Sequence, residues 1–137
     1  MPNRLKVSYK GVQFAIVHCE GALDSYLQAV ERLTKNKRIS QTNALISQIS
    51  RLANGERLSK EHFPQEGNLP KRPGQPTKKF WALKKKPLRG YCWLSDAHPK
   101  TYFISHYVYK DWDKLSESDT NTVGLNWQRI EEAGHER

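Results

Sequence analysis

Four residues in the second half of the sequence, Arg89, Tyr91, His106 and Lys110, carry the side-chain types that metal-free RNA cleavage requires. Attack of a ribose 2′-oxygen on its own phosphate needs a base to take the hydroxyl proton and an acid to protonate the leaving 5′-oxygen. It also needs cations to hold the charged phosphorane. His suits proton transfer near neutrality, Arg pairs bidentately with phosphate, and Lys supplies a mobile point charge. The spacing adds geometry. Successive side chains of a strand alternate between faces, so Arg89, Tyr91 and Trp93 share one face. Tyr102, Ile104, His106, Val108 and Lys110 then share another, opposite Thr101, Phe103, Ser105, Tyr107 and Tyr109. Arg89 and Tyr91 converge with His106 and Lys110 if the strands pair in register. Both faces carry aromatics, so the exposed face stays open. Tyr91 and Trp93 read either as core or as platforms on which unpaired bases stack.

Charge points to the same region. The net charge is +9, and aromatics make up 10% of the chain, which argues against global disorder. Between Lys71 and Arg89 stand Lys71, Arg72, Lys78, Lys79, Lys84, Lys85, Lys86 and Arg89, and no acid falls between Glu66 and Asp96. After Lys110 the sign reverses, with Asp111, Asp113, Glu117, Asp119, Glu131, Glu132 and Glu136 against Lys114, Arg129 and Arg137. Such segregation implies a polyanion site, with Lys78, Lys79, Lys84, Lys85 and Lys86 as phosphate contacts and Trp93 and Tyr109 as stacking surfaces. A lysine-rich strand end also discourages edge-to-edge pairing, which is the alternative reading of Lys84–Lys86.

The elements that must position these residues form one domain over residues 1–137. Residues 5–18 are rich in Val, Ile, Phe and Tyr around a Lys10-Gly11 turn, and predict one or two strands. Ala22, Tyr26, Ala29, Val30 and Leu33 recur at helical steps. Leu45, Ile49 and Leu52 mark a second helix from about Ser40 to Asn54, with Ser40 as N-cap and Gly55 as the stop. Pro64, Gly67, Pro70, Pro73, Gly74 and Pro76 predict a long loop at about 56–79. Strands at Phe80–Lys85, Gly90–Ser95 and Thr101–Tyr109 have short connections and predict an antiparallel meander. A last helix starts near Ser116, with Asp119 three residues on, and Val123, Trp127 and Ile130 give it an apolar face. The expected class is α+β, helices packed on one antiparallel sheet with a C-terminal helix.

The stretch from Phe80 to Glu132 resembles the RelE/ParE toxin superfamily, nearest its HigB-like, phage-derived branch. Phe80-Trp81-Ala82-Leu83 is similar to the family's Leu-Trp-Glu-Leu-like strand. Leu88-Arg89-Gly90-Tyr91 is similar to its Arg-opened strand, and Ile104 through Lys110 to its Thr-His-Gly-Phe-x-Lys-Lys-like segment. The resemblance implies a compact RelE-like fold, ribosome-dependent mRNA cleavage as in the RelE-like members, and a cognate antitoxin that covers the basic surface. By matching position, Arg89, His106 and Lys110 take the functional role, with Tyr91 adjacent. The chain departs from the pattern where Asp111 replaces the second Lys and Tyr107 the small Gly, and its N-terminal half is longer.

The leading expectation is therefore the toxin of a type II toxin–antitoxin-like system, an endoribonuclease working on RNA without cofactor or metal. The alternative is a non-catalytic phage or host protein on the same fold that inhibits a cellular factor or binds nucleic acid. A DNA-reading role for helix 40–54 is disfavoured, since Arg51 is its one basic residue. Cys19 and Cys92 lie far apart and outside any zinc spacing. No apolar run suits a membrane span or leader, and the expected setting is cytoplasmic.

Overall fold

The computed structural model describes residues 4–110 and 115–137. The elements run β1 (Ser8–Lys10), β2 (Ala15–His18), α1 (Ala22–Val30), α2 (Lys35–Ala53), β3 (Gln65–Asn68), β4 (Lys79–Lys85), β5 (Leu88–Leu94), β6 (Thr101–Tyr109) and α3 (Glu117–Trp127), which continues into a π-helical turn, Gln128–Glu132. The six strands form one sheet in the order β1-β2-β6-β5-β4-β3. The α+β class holds. The sheet, however, is mixed, because β2 pairs with β6 in parallel while all other neighbours are antiparallel. Only short connections force antiparallel pairing. Here α1, α2 and three strands intervene between β2 and β6.

Helices cover both faces. On one, Tyr26, Ala29 and Val30 of α1 and Leu45, Ile49 and Leu52 of α2 pack on Ile16, Leu83, Cys92, Ile104 and Tyr107. On the other, Val123, Trp127 and Ile130 pack on Phe80, Ala82, Tyr91, Trp93 and Phe103. Each fully buried large side chain contributes about 1.5–3 kcal/mol, so the two clusters hold the sheet between its helices. On the α1 side, Gly90 lies opposite Tyr107. A Cβ at Gly90 would fall 2.5 Å from the Tyr107 ring. The glycine is what lets that ring lie across β5 to reach Tyr26, edge-on at 5.1 Å.

Strand β5 runs Leu88–Leu94 rather than the expected Gly90–Ser95, and two further boundaries differ from expectation. Helix α2 begins at Lys35, capped by Thr34, whose hydroxyl accepts from the Lys37 amide at 3.4 Å. Its first turn is polar and shows no apolar period, so the stripe starting at Leu45 hides it. The stretch 56–79 is not loop throughout. Gln65–Asn68 forms the β3 edge strand, bulged between Gln65 and Gly67, although none of its residues is a typical strand former.

Candidate functional site

A single irregularity in β6 decides where the expected residues point. Tyr91 pairs with His106, but Cys92 pairs with Ile104, so Ser105 is the extra residue of a β-bulge. Alternation restarts there. Phe103, Ser105, His106, Val108 and Lys110 point toward α3, and Tyr102, Ile104, Tyr107 and Tyr109 toward α1 and α2. The unbroken parity expected from sequence is thereby corrected. His106 and Lys110 leave the Ile104 face and join Tyr91.

Beneath α3 these groups form one hydrogen-bonded cluster. His106 Nε2 lies 3.0 Å from Asp119 Oδ1, and Lys110 Nζ lies 2.8 Å from Asp119 Oδ2. Ser116 Oγ donates to Asp119 Oδ2 at 2.7 Å and accepts from the Asp119 amide at 3.1 Å, which caps α3. Ser105 Oγ lies 2.8 Å from His106 Nδ1 and accepts from Asn126 Nδ2 at 2.8 Å. A carboxylate only accepts, so Nε2 carries the imidazole proton toward Asp119, and Nδ1 accepts from the Ser105 hydroxyl. The Tyr91 ring stands 5.3 Å from His106, with Lys110 Nζ 5.8 Å from its centroid. The Tyr91 hydroxyl is buried and, among the described residues, meets no partner in full hydrogen-bond geometry.

The electrostatics follow from burial and pairing. Desolvation would raise the Asp119 carboxyl, but hydrogen bonds from His106, Lys110 and Ser116 outweigh it and hold the group far below the usual carboxylate range. Burial disfavours the Lys110 ammonium, yet Asp119 and Tyr91 together raise its pKa. The Tyr91 phenol is raised by burial and then by Asp119, against the pull of Lys110. It therefore stays protonated at neutral pH. Arg89 Nη1 donates to Glu66 Oε1 at 3.0 Å, with side chains 3% and 10% exposed.

The structure thus gathers His106, Lys110 and Tyr91 around Asp119, while Arg89 pairs with Glu66 on β3. Trp93 is fully enclosed, stacked on Phe103 at 5.6 Å with its Nε1 donating to Glu131 Oε2 at 3.2 Å. In this arrangement α3 and its π turn separate Trp93 from any base. Tyr109 lies on the opposite face, under the Arg32 guanidinium at 4.1 Å.

The expected phosphate contacts divide between the two ends of β4. Lys78 pairs with Asp96 at 2.5 Å, and Lys79 with Asn68. At the other end, exposed Lys85 and Lys86 line a cleft of about 580 Å³ with Lys37, Ser40, Gln41, Tyr109 and Lys110. Lys84 sits partly buried beside them, its backbone carbonyl accepting from Gln48. Within the cleft Gln41 Nε2 donates to the Lys86 carbonyl at 2.6 Å, and Gln41 Oε1 is buried without a partner among the described residues. Lys110 belongs to both places, floor of the cleft and member of the buried cluster. Sequence reasoning missed Lys37, Gln41, Asp119 and Ser105. The Lys35-Asn36-Lys37-Arg38 run was the available signal for the first. Nothing local announces the others, because their role lies in long-range pairing.

Among the described residues, no group of three or more His, Cys, Asp or Glu side chains is placed to hold a metal, and no helix is long and apolar enough to cross a membrane. Comparison with family models, with curated proteins and with solved structures finds no match to this chain.

Proposed function

We propose that this protein is a toxin-type endoribonuclease that binds RNA phosphates in the Lys37–Lys85–Lys86 cleft and cleaves beside Lys110. What supports the reading above all is the double placement of Lys110, which lines the basic cleft and also shares one carboxylate with His106. That carboxylate marks an anion site. Asp119 occupies a position between an imidazole N–H and an ammonium, where the scissile phosphate would stand once the first turn of α3 gives way. With phosphate in place of the carboxylate, the imidazole takes the other tautomer, with Nδ1–H donating to Ser105 Oγ, so that His106 Nε2 takes the 2′-hydroxyl proton; Lys110 neutralises the phosphorane, and protonated Tyr91 gives its proton to the leaving 5′-oxygen. Arg89, released from Glu66, adds a second cation. A RelE-like fold, action on the ribosome, and a cognate antitoxin neutralising the basic surface belong to the same proposal.

A second reading has its own support. Asp119 and Glu66 already neutralise the would-be catalytic cations under an intact helix, which suits a non-catalytic RNA- or factor-binding protein. One assay separates the two. End-labelled single-stranded RNA, with and without ribosomes and in the presence of a chelator, is given to wild type, to His106→Ala/Lys110→Ala and to Lys85→Glu/Lys86→Glu. The nuclease yields 2′,3′-cyclic phosphate ends in wild type alone, and the Lys85/Lys86 variant loses RNA affinity. Binding without cleavage by wild type establishes the second reading. Absence of binding overturns both.

A further inference from the structure

A second surface lies on the other side of the α2 N-terminus from the basic cleft. Helix α1 packs on β6 and α2 on β4 and the N-terminal strands, and the two helices touch each other only sparsely. The space they leave is a groove of about 670 Å³ lined by Leu5, Leu23, Leu27, Tyr26, Val30 and Ile39. Leu23 and Leu27 are four residues apart on one helical flank, and Leu27 is 62% exposed. The floor is fixed, since the Tyr26 hydroxyl bonds Thr42 Oγ1 at 2.5 Å and so ties α1 to α2 below the opening.

The rim is basic. Arg4, Lys35 and Arg38 border the groove against Glu31, the single acid lining it among the described residues. Arg38 is held in place by donating to the Leu33 and Glu31 carbonyls at 2.9 and 3.1 Å. Lys35, Lys37 and Arg38 stand in the first turn of α2, which contains no acid. The helix dipole disfavours cations at that end, so the fold keeps three charges where they weaken the helix. An apolar trough with a cationic lip is complementary to an amphipathic helix whose apolar stripe is flanked by carboxylates.

We infer that the α1–α2 groove docks an acidic amphipathic helix of a partner protein, with Leu23, Leu27 and Ile39 receiving its apolar stripe and Arg4, Lys35 and Arg38 pairing with its flanking acids. This surface is separate from the RNA cleft and does not rest on the ribonuclease reading. Leu27 and Lys35 are exposed, so the fold tolerates their replacement. A low ionic strength enhances the association, because the rim charges are solvated.

The test uses the full chain and two synthetic helical peptides. Both carry Leu at three- and four-residue steps, one flanked by Glu and the other by Lys. Titration calorimetry and methyl resonances of Leu23, Leu27 and Ile39 report binding, and light scattering reports mass. The Glu peptide is expected to bind and shift those resonances, and the Lys peptide to bind about tenfold or more weakly. Leu27→Glu and Lys35→Glu are each expected to weaken the Glu peptide by a similar factor while RNA binding stays unchanged. Equal binding of both peptides, absence of binding, or insensitivity to Leu27→Glu overturns the proposal. So does a wild-type dimer that Leu27→Glu dissociates, which would assign the groove to a second copy of this chain.

Discussion

Lys110 Nζ stands 2.8 Å from Asp119 Oδ2, with the two side chains only 7% and 10% exposed. An ion pair so enclosed has paid desolvation on both partners, and removing one leaves the other buried and uncompensated. Asp119→Ala is expected to cost about 3–5 kcal/mol in urea denaturation. The joint replacement Lys110→Met/Asp119→Ala should recover much of that loss, giving, with the two single variants, a large coupling term in a double-mutant cycle. The pH dependence has a defined sign. The folded carboxyl titrates below its ordinary value of 3.8, so below that value the unfolded chain binds the proton first and the pair's contribution disappears. The Asp119→Ala variant should lack that acid limb, and a single loss under 1 kcal/mol would show that the pair behaves as a solvated one.

His18 predicts a second acid-sensitive step at higher pH. Its ring is fully enclosed, with Nδ1 2.7 Å from the Lys6 carbonyl and Nε2 2.7 Å from the Tyr107 hydroxyl. Burial dominates and lowers its pKa from 6.5 to about 4, against the Lys6 and Val7 carbonyls. The unfolded chain is protonated below 6.5 and the folded chain only below about 4, so stability is full above the first value and falls between the two. The difference amounts to roughly 3 kcal/mol. Denaturation midpoints should therefore decline from pH 7 to pH 4 in wild type, and His18→Gln should start lower but decline less. Parallel slopes for the two proteins would assign the decline to other groups.

The elements that carry this chemistry were legible where a pattern repeats and illegible where it breaks. Alternation along Leu88–Leu94 placed Arg89, Tyr91 and Trp93 on one face, as observed. Along Thr101–Tyr109 it failed at Ser105, because a bulge leaves no mark in residue type. The convergence of Tyr91 with His106 was anticipated, yet it comes about through the bulge rather than through unbroken parity. Strand β3 escaped notice because Gln65-Glu66-Gly67-Asn68 lacks β-branched and aromatic residues, and its place is set by pairing with β4. The parallel β2–β6 contact could not be read, since it joins segments separated by most of the chain. The acids of the last segment were seen as a charge reversal, while the role of Asp119 as the internal partner of Lys110 and His106 depended on tertiary placement.

Glu131 shows such a hidden role most fully. From the π turn after α3 its carboxylate accepts from Trp93 Nε1 at 3.2 Å, Ser95 Oγ at 2.6 Å, and the Asp96 and Ala97 amides at 2.8 Å each. It thereby fastens the C-terminal end of α3 to the β5–β6 turn. Glu131→Gln keeps the length but directs an NH₂ group at donors, stranding at least one of them. The expected cost is about 2–3 kcal/mol, with a change in near-ultraviolet circular dichroism from Trp93. An unaltered midpoint would mean that water replaces the lost acceptor.

Lys37→Glu separates stability from binding within one side chain. Thr34 caps α2 through the Lys37 amide, so an acid at residue 37 completes a reciprocal capping box and also meets the positive end of the helix dipole. Folding stability should rise by about 0.5–1 kcal/mol. The same change reverses a charge in the cleft that Lys85, Lys86 and Lys110 line. RNA affinity should fall, and the slope of log affinity against log salt should shrink by about one phosphate's worth. Lys85→Ala should weaken binding similarly with no gain in stability, since that side chain is exposed at a strand end. A Lys37→Glu protein that is more stable and still binds RNA with the wild-type salt slope would move the RNA site away from this cleft.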